Sequence, residues 1–121
     1  KGLKENPIIF KAETKGKVII TGNSKLLIGG EFLEIDGFYF TKGYSGVDAV
    51  IKFSVNSQKI ANNCRVTNTV INDFNNPRRL DENYWVALYG KNNRVDHCSF
   101  LNKKTGFGLP IPKGSICLII R

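Results

Sequence analysis

A repeat of about thirty residues is the feature that most constrains the fold of this 121-residue chain. Three segments align without gaps and begin 31 and 29 residues apart: EIDGFYF at 34–40, RVTNTVI at 65–71 and RVDHCSF at 94–100. Apolar residues recur at equivalent positions in two sets, Ile35, Val66 and Val95, and Phe40, Ile71 and Phe100. The loops between the segments differ in length, which a solenoid tolerates because insertions project outward while the constant strands stack.

The periodic runs in the sequence have the spacing of β-strands. Apolar and polar residues alternate in KVIITG, VDAVIKFSV and CRVTNTVIND, whereas no sustained i, i+3, i+4 apolar stripe is found. A repeat of this length that contains only strands and turns is too short for a propeller blade and lacks leucine-rich or helical signatures. The sequence therefore predicts an all-β fold, a parallel β-helix of about three or four turns.

A β-sandwich of antiparallel hairpins is the alternative fold. Two-residue Asn-Gly or Asp-Gly turns would support it, but the only Asp-Gly pair, Asp36-Gly37, lies inside the aligned repeat. The aligned residues Gly37, Asn68 and His97 instead favour a corner between two stacked strands, since Gly and Asn tolerate a positive φ. Each turn of a solenoid stacks only on the turns next to it, so the first and last turns leave apolar surface uncovered. These uncovered ends predict self-association or marginal stability.

The charge balance narrows the class of partner. The formal net charge is +8, from 18 Lys and Arg against 10 Asp and Glu, which favours a polyanion or else a solvated basic surface without a partner. The basic residues are scattered, and no RNP-like pattern or groove-binding helix is present, so nucleic acid is disfavoured. No apolar run approaches the roughly 20 residues that span a bilayer, so a membrane partner is not expected.

The cysteines do not indicate a metal site. Cys64, Cys98 and Cys117 have no zinc-binding spacing, and an odd number cannot pair completely within one chain. We expect buried free thiols, because an unpaired cysteine behaves as a small apolar residue.

Two long segments resemble one enzyme family. The segment NPIIFKAETKGKVIITGNSKLLIGGEFLEIDGFYF, which begins at Asn6, and the segment NYWVALYGKNNRVDHCSFLNKKTG, which ends at Gly106, are similar to the early turns of polysaccharide lyase family six. That family comprises alginate lyases and chondroitinase B. The resemblance implies a right-handed, single-stranded parallel β-helix. It also implies a secreted or periplasmic bacterial enzyme that cleaves alginate or a glycosaminoglycan, both uronate-containing anionic polysaccharides, by β-elimination.

The resemblance covers only the early turns of the family fold. The family's calcium ligands, Lys base and nearby Arg come from later turns, so no catalytic residue, metal ligand or cofactor is assigned here, and calcium is expected only for a full-length enzyme. Residues 106–121 depart from the family pattern: Pro110 and Pro112 would interrupt a ladder, while Ser115–Ile120 can form a closing strand.

We therefore interpret residues 1–121 as a single β-helix domain and a fragment of a longer enzyme, inactive alone. The alternative is a non-catalytic solenoid that has a structural role or binds acidic polysaccharide.

Four residues are candidate contacts to such a polysaccharide, namely Tyr84, Trp85, Lys91 and Arg94. The aromatic rings can stack on a sugar or pack in the core, and the two basic groups can bind carboxylates or simply form a solvated loop. Arg78 and Arg79, in NNPRRLDEN, are further candidates of the same kind.

The only histidine, His97, is interpreted as a hydrogen-bonded corner residue rather than a general base. Neighbours on a strand face opposite sides, so Asp96 is not expected to orient its imidazole ring.

Overall fold

The computed structural model describes residues 2–45, 49–75 and 84–103 and the backbone of 118–120, and within these residues every regular element is a β-strand. The strands are β1 (Ile8–Lys11), β2 (Val18–Asn23), β3 (Leu26–Leu27), β4 (Gly30–Glu31), β5 (Leu33–Asp36), β6 (Phe38–Tyr44), β7 (Ile51–Lys52), β8 (Ala61–Asn62), β9 (Arg65–Thr67), β10 (Val70–Asn72), β11 (Val86–Leu88), β12 (Arg94–Asp96), β13 (Ser99–Leu101) and β14 (Leu118–Ile120). None of the described segments forms a helix that could cross a membrane.

The described strands form three four-stranded sheets that run along the molecule. Sheet A has the order β1-β5-β9-β12, sheet B the order β2-β6-β10-β13, and sheet C the order β3-β7-β11-β14, while β4 and β8 form a separate pair. Each large sheet takes one strand from each of four successive turns, and all pairings between these strands are parallel. The fold is therefore the predicted parallel β-helix, and the antiparallel sandwich is excluded.

The predicted ladders are in register. In sheet A, Val66 pairs with Ile35 on one side and Val95 on the other. In sheet B, Ile71 lies between Phe40 and Phe100 in the same way. The central residues are fully buried, because each has an apolar neighbour above and below it. Stacked identical positions thus form the core that a single turn could not form by itself.

Three corners in each of three successive turns have left-handed backbone. The residues with positive φ recur five positions apart within a turn and 31 or 29 positions apart between turns, as Phe32, Gly37 and Lys42, then Asn63, Asn68 and Asp73, then Asn92, His97 and Asn102. Outside glycine, φ at these corners lies between 52° and 58°. Gly, Asn and Asp adopt this region at low cost, which explains why Asn is abundant and confirms the predicted corner at Gly37, Asn68 and His97.

The first turn exposes its apolar residues. Phe10 pairs in register with Ile35, yet its side chain is 59% exposed, because β1 is the edge strand of sheet A in the part of the chain described. Ile8, Ile9 and Ile19 are exposed as well. Self-association through this end stays a prediction.

The remaining expectations concern the cysteines and the last strand. Cys64 is buried and Cys98 half-buried, both as free thiols, and burial raises the pKa of each. Cys117 lies outside the described residues, as do Pro110 and Pro112. The closing strand expected within Ser115–Ile120 is present as β14, which pairs with β11.

Candidate functional site

The outer face of sheet A carries a polar ladder. Because the apolar ladder of this sheet points inward, the residues that alternate with it lie on the outer face. The charged ones are Glu34 and Asp36 from β5, Arg65 from β9, and Arg94 and Asp96 from β12, whereas Thr67 of β9, in the same row as the two Asp residues, is buried. Charged groups of opposite sign are thereby stacked along the axis of the solenoid.

Asp96 is the centre of this ladder. The guanidinium of Arg65 donates two hydrogen bonds to it, from Nε to Oδ1 at 2.8 Å and from Nη2 to Oδ2 at 2.7 Å. Arg94 contacts the same Oδ2 from its Nη2 at 3.2 Å. The Nη1 group of Arg65 also donates to Glu34 Oε1 at 3.3 Å, so that Arg65 connects three turns.

These contacts keep Asp96 ionised. The hydrogen bonds from Arg65 are the main reason that the pKa of the Asp96 carboxyl lies far below its usual range, and His97 and Arg94 act in the same direction. In return, Asp96 raises the pKa of the Arg65 guanidinium. Arg65 and Asp96 form a bidentate interaction between planar groups, which is the strong form of a charge-assisted hydrogen bond.

His97 joins the cluster, contrary to the expectation from sequence. Its Nδ1 lies 2.7 Å from Asp96 Oδ2, so Asp96 does orient the ring. Alternation of side chains holds within a strand, but β12 ends at Asp96, and the left-handed φ of 53° at His97 turns the chain. The side chains of two consecutive residues therefore meet. The interpretation of His97 as a hydrogen-bonded corner residue is confirmed.

Two basic candidates are exposed near β12. Lys91 lies in the loop before this strand, where its backbone NH donates to Asn62 Oδ1 at 2.9 Å. Arg94 is the first residue of β12, and its side chain is 65% exposed despite the contact with Asp96. Both groups are accessible to a ligand, and their contact with an anionic polysaccharide stays a prediction. Arg78 and Arg79 lie outside the described residues.

The two aromatic candidates, Trp85 and Tyr84, differ in how deeply they are buried. Trp85 is fully buried, and its indole Nε1 donates to the carbonyl oxygen of Phe74 at 3.0 Å. An indole in the core presents no face to a sugar ring, so the predicted stacking of Trp85 on substrate is corrected to a core role. Tyr84 is half-buried ahead of β11, with its carbonyl oxygen accepting from the Val50 NH at 3.2 Å, and its role stays a prediction.

Arg65 was missed by reasoning from sequence, although the repeat contains a signal for it. The position before the inward Ile or Val holds Glu34, Arg65 and Arg94, and the position after it holds Asp36, Thr67 and Asp96. Opposite charges in adjacent rows of a parallel stack are close enough to pair. Aligning the polar columns as well as the apolar ones would have identified this cluster.

A second polar row lies on sheet B. Asn102 Nδ2 donates to Asn72 Oδ1 at 2.8 Å, and Asn72 Nδ2 donates to the Tyr39 hydroxyl at 2.7 Å. Thr41, Lys42 and Asp73 line a shallow depression beside it. These amides satisfy one another, and we assign the row a structural role.

The described residues do not assemble a metal site. Among them, no three His, Cys, Asp or Glu side chains come together in a group that could hold a metal ion. Asp36 and Asp96 lie two strands apart, about 10 Å, and each is already hydrogen-bonded, Asp36 to Asn68 and Asp96 to Arg65. The residues described therefore do not fit calcium, and its presence in a longer protein stays a prediction.

Comparison with known proteins gives consistent matches. The profile of the family described as Chondroitinase B matches residues 1–111. The PL6 family alginate lyase AlyGC is 38% identical over 86% of this chain, with a TM-score of 0.83. A mannuronic acid specific polysaccharide family 6 lyase from human gut microbiota is 37% identical over 86% of the chain, with a TM-score of 0.80. A PL6 family polysaccharide lyase from Pseudopedobacter saltans is 31% identical over 87%, with a TM-score of 0.74.

The matched region is a small part of each relative. It covers 14% of the AlyGC chain, 24% of the gut enzyme and 23% of the Pseudopedobacter saltans enzyme. No curated protein matches the chain.

Proposed function

We propose that this chain, which belongs to the chondroitinase B family, is part of a polysaccharide lyase that cleaves a uronate-containing anionic polysaccharide by β-elimination. The likeness to solved lyases carries the proposal: three of them share its fold at 31–38% identity over 86–87% of its length. One is named an alginate lyase and another is named mannuronic acid specific, and both names refer to uronate polymers. The basic excess of the chain supports a polyanionic substrate.

The chemistry of elimination sets three requirements. The uronate carboxylate must be neutralised so that the C5 proton becomes acidic, a base must remove that proton, and a group must assist departure of the 4-linked oxygen. The guanidinium of Arg94 and the ammonium of Lys91 are suited to the first of these, because both are exposed cations. We assign no base to this chain.

The chain alone is proposed to bind the polymer without cleaving it. It spans 14–24% of the solved lyases, and it supplies a rigid stack of turns with a charged outer face. Secretion or export to the periplasm, and calcium in the complete enzyme, stay predictions.

The test uses the purified 121-residue chain with alginate and with dermatan sulfate in buffer that contains calcium. We expect no unsaturated uronate in the ultraviolet spectrum, and binding that weakens as salt is added. Arg94→Gln and Lys91→Gln should each weaken binding, whereas Lys17→Gln, an equal loss of charge in the first turn, should not. Clear turnover would refute inactivity, and absence of binding at low salt would refute the binding surface.

A non-catalytic binding solenoid would also bind without cleavage. Sequencing the gene beyond Arg121 distinguishes the lyase from the non-catalytic solenoid. Lyase-like turns encoded there in any reading frame would support the enzyme, and unrelated sequence would favour the solenoid.

A further inference from the structure

The contacts of Asp96 leave two of its partners open to a ligand. Each nitrogen of the Arg65 guanidinium already has a carboxylate partner, because Nε and Nη2 donate to Asp96 and Nη1 donates to Glu34. Arg94 and His97 each contact only the Oδ2 atom, and their side chains are 65% and 69% exposed. Both groups therefore contact one oxygen atom, at 3.2 Å and 2.7 Å, from the exposed side of the cluster.

The orientation of the imidazole determines what it offers to a ligand. Asp96 accepts the hydrogen bond of Nδ1–H, so the neutral ring carries its lone pair on Nε2, on the other side of the ring. A lone pair repels the oxygens of an incoming carboxylate. When the ring takes up a proton, Nε2–H becomes a donor beside the Arg94 guanidinium, and a carboxylate can bind both groups.

The charged groups around His97 determine how its protonation affects the binding of an anion. The imidazole contacts Asp96 of β12, which also binds Arg94 of β12 and Arg65 of β9, and Arg65 in turn contacts Glu34 of β5. Further along sheet A, Asp36 of β5 accepts a hydrogen bond from the neutral Asn68, and Lys15 lies close to Gly37. Asp96 and Glu34, the two carboxylates in contact with Arg65, balance the guanidinium groups of Arg65 and Arg94 while the imidazole is neutral. Protonation of His97 adds one positive charge on the exposed side of this cluster, which favours an anionic ligand.

His97 occupies one of the left-handed corners of the repeat. Its equivalents in the repeat are Gly37 and Asn68, which adopt a left-handed φ more readily than histidine does.

We propose that Arg94 and His97 form a proton-dependent anion site at the corner after β12, and that it binds the carboxylate of a uronate residue more tightly when the imidazole is protonated. This rests on the proposed function for the identity of the ligand, but not for the existence of the anion site.

The test compares the affinity of the 121-residue chain for a short oligomannuronate at about pH 5 and about pH 8, the ends of the range in which histidines titrate. The uronate carboxylates stay ionised across this range, as does Asp96, and His97 is the only histidine of the chain. We expect binding about fivefold tighter at the lower pH, the effect of one additional charge at contact distance in water.

The repeat itself supplies the matched control. His97→Asn places at this corner the residue found one turn earlier, so the backbone is preserved while the imidazole is lost. We expect the variant to bind equally at both pH values, and Arg94→Gln to bind more weakly at both. Wild-type affinity that does not change with pH, or a pH dependence that persists in His97→Asn, would overturn the proposal.

Inorganic sulfate separates this proposal from the proposed function. Its binding is followed by the NMR signals of the His97 ring and the Arg94 guanidinium at the same two pH values. If the oligosaccharide fails to bind but sulfate binds more tightly at the lower pH, the uronate ligand is refuted and the anion site stands. If sulfate also shows no dependence on His97, the site itself is refuted.

Discussion

Gly90→Ala should be among the most damaging small substitutions in this chain. Gly90 has a φ of 78° and lies in the loop that leads to Lys91 and β12. A methyl group on its Cα would lie 1.9 Å from the carbonyl oxygen of Ala61 and 2.9 Å from Asn62 Oδ1. Both neighbours belong to β8, in the turn below, so the two turns would have to separate.

The loss can be estimated from the contacts that this separation breaks. Placing alanine at a positive φ costs about 1 kcal/mol relative to glycine. Asn93 Nδ2 donates to the Ala61 carbonyl oxygen at 2.9 Å, and the Lys91 NH donates to Asn62 Oδ1 at 2.9 Å. Losing both hydrogen bonds adds about 2 kcal/mol. We therefore expect the free energy of unfolding to fall by about 3 kcal/mol.

Gly22→Ala is the matched control. Gly22 has a similar φ of 73°, but a methyl group there would meet nothing within 4 Å. Urea denaturation of the two variants, followed by tryptophan fluorescence from Trp85, should show a loss of about 1 kcal/mol for the control. Equal losses would refute the steric argument, because the backbone conformation alone would then account for the effect.

Three other outcomes are expected. The pKa of Asp96 is lowered on folding, so the stability that the pair with Arg65 provides is complete at neutral pH and declines once the pH falls below about 4. Because the pair is partly exposed, the decline should be about 1 kcal/mol. Measurements of unfolding free energy against pH should show this decline in the wild type but not in Asp96→Asn. Val66→Ala should lower the free energy of unfolding by about 2 kcal/mol in urea titration, since Val66 is fully buried, whereas the exposed Val55→Ala should lie within about 0.5 kcal/mol of wild type. Lys42→Asn should stabilise the fold by about 0.5 kcal/mol, because the φ of 52° suits asparagine better than lysine. Thermal denaturation should show a higher midpoint for this variant, and an unchanged or lower midpoint would contradict the prediction.

The sequence by itself determined the architecture of the chain. Ile35, Val66 and Val95 stack because a period of two sets the face of each residue, and a repeat of about thirty sets which residues are neighbours in space. The corners follow from the same alignment, since Gly and Asn recur where the backbone must be left-handed. These are properties of spacing, which a sequence records directly.

The tertiary structure alone decided what the polar side chains do. Trp85 and Tyr84 are adjacent candidates of similar chemistry, and only the packing of the turns shows that the indole is enclosed and bonded to Phe74. The meeting of Arg65 and His97 at Asp96 depends on side-chain directions across a turn of the solenoid and around a left-handed corner. The spacing of residues in the sequence determines which strands are adjacent. It does not determine in which direction a long polar side chain extends or which group it contacts, because those depend on neighbours that only the folded chain brings together.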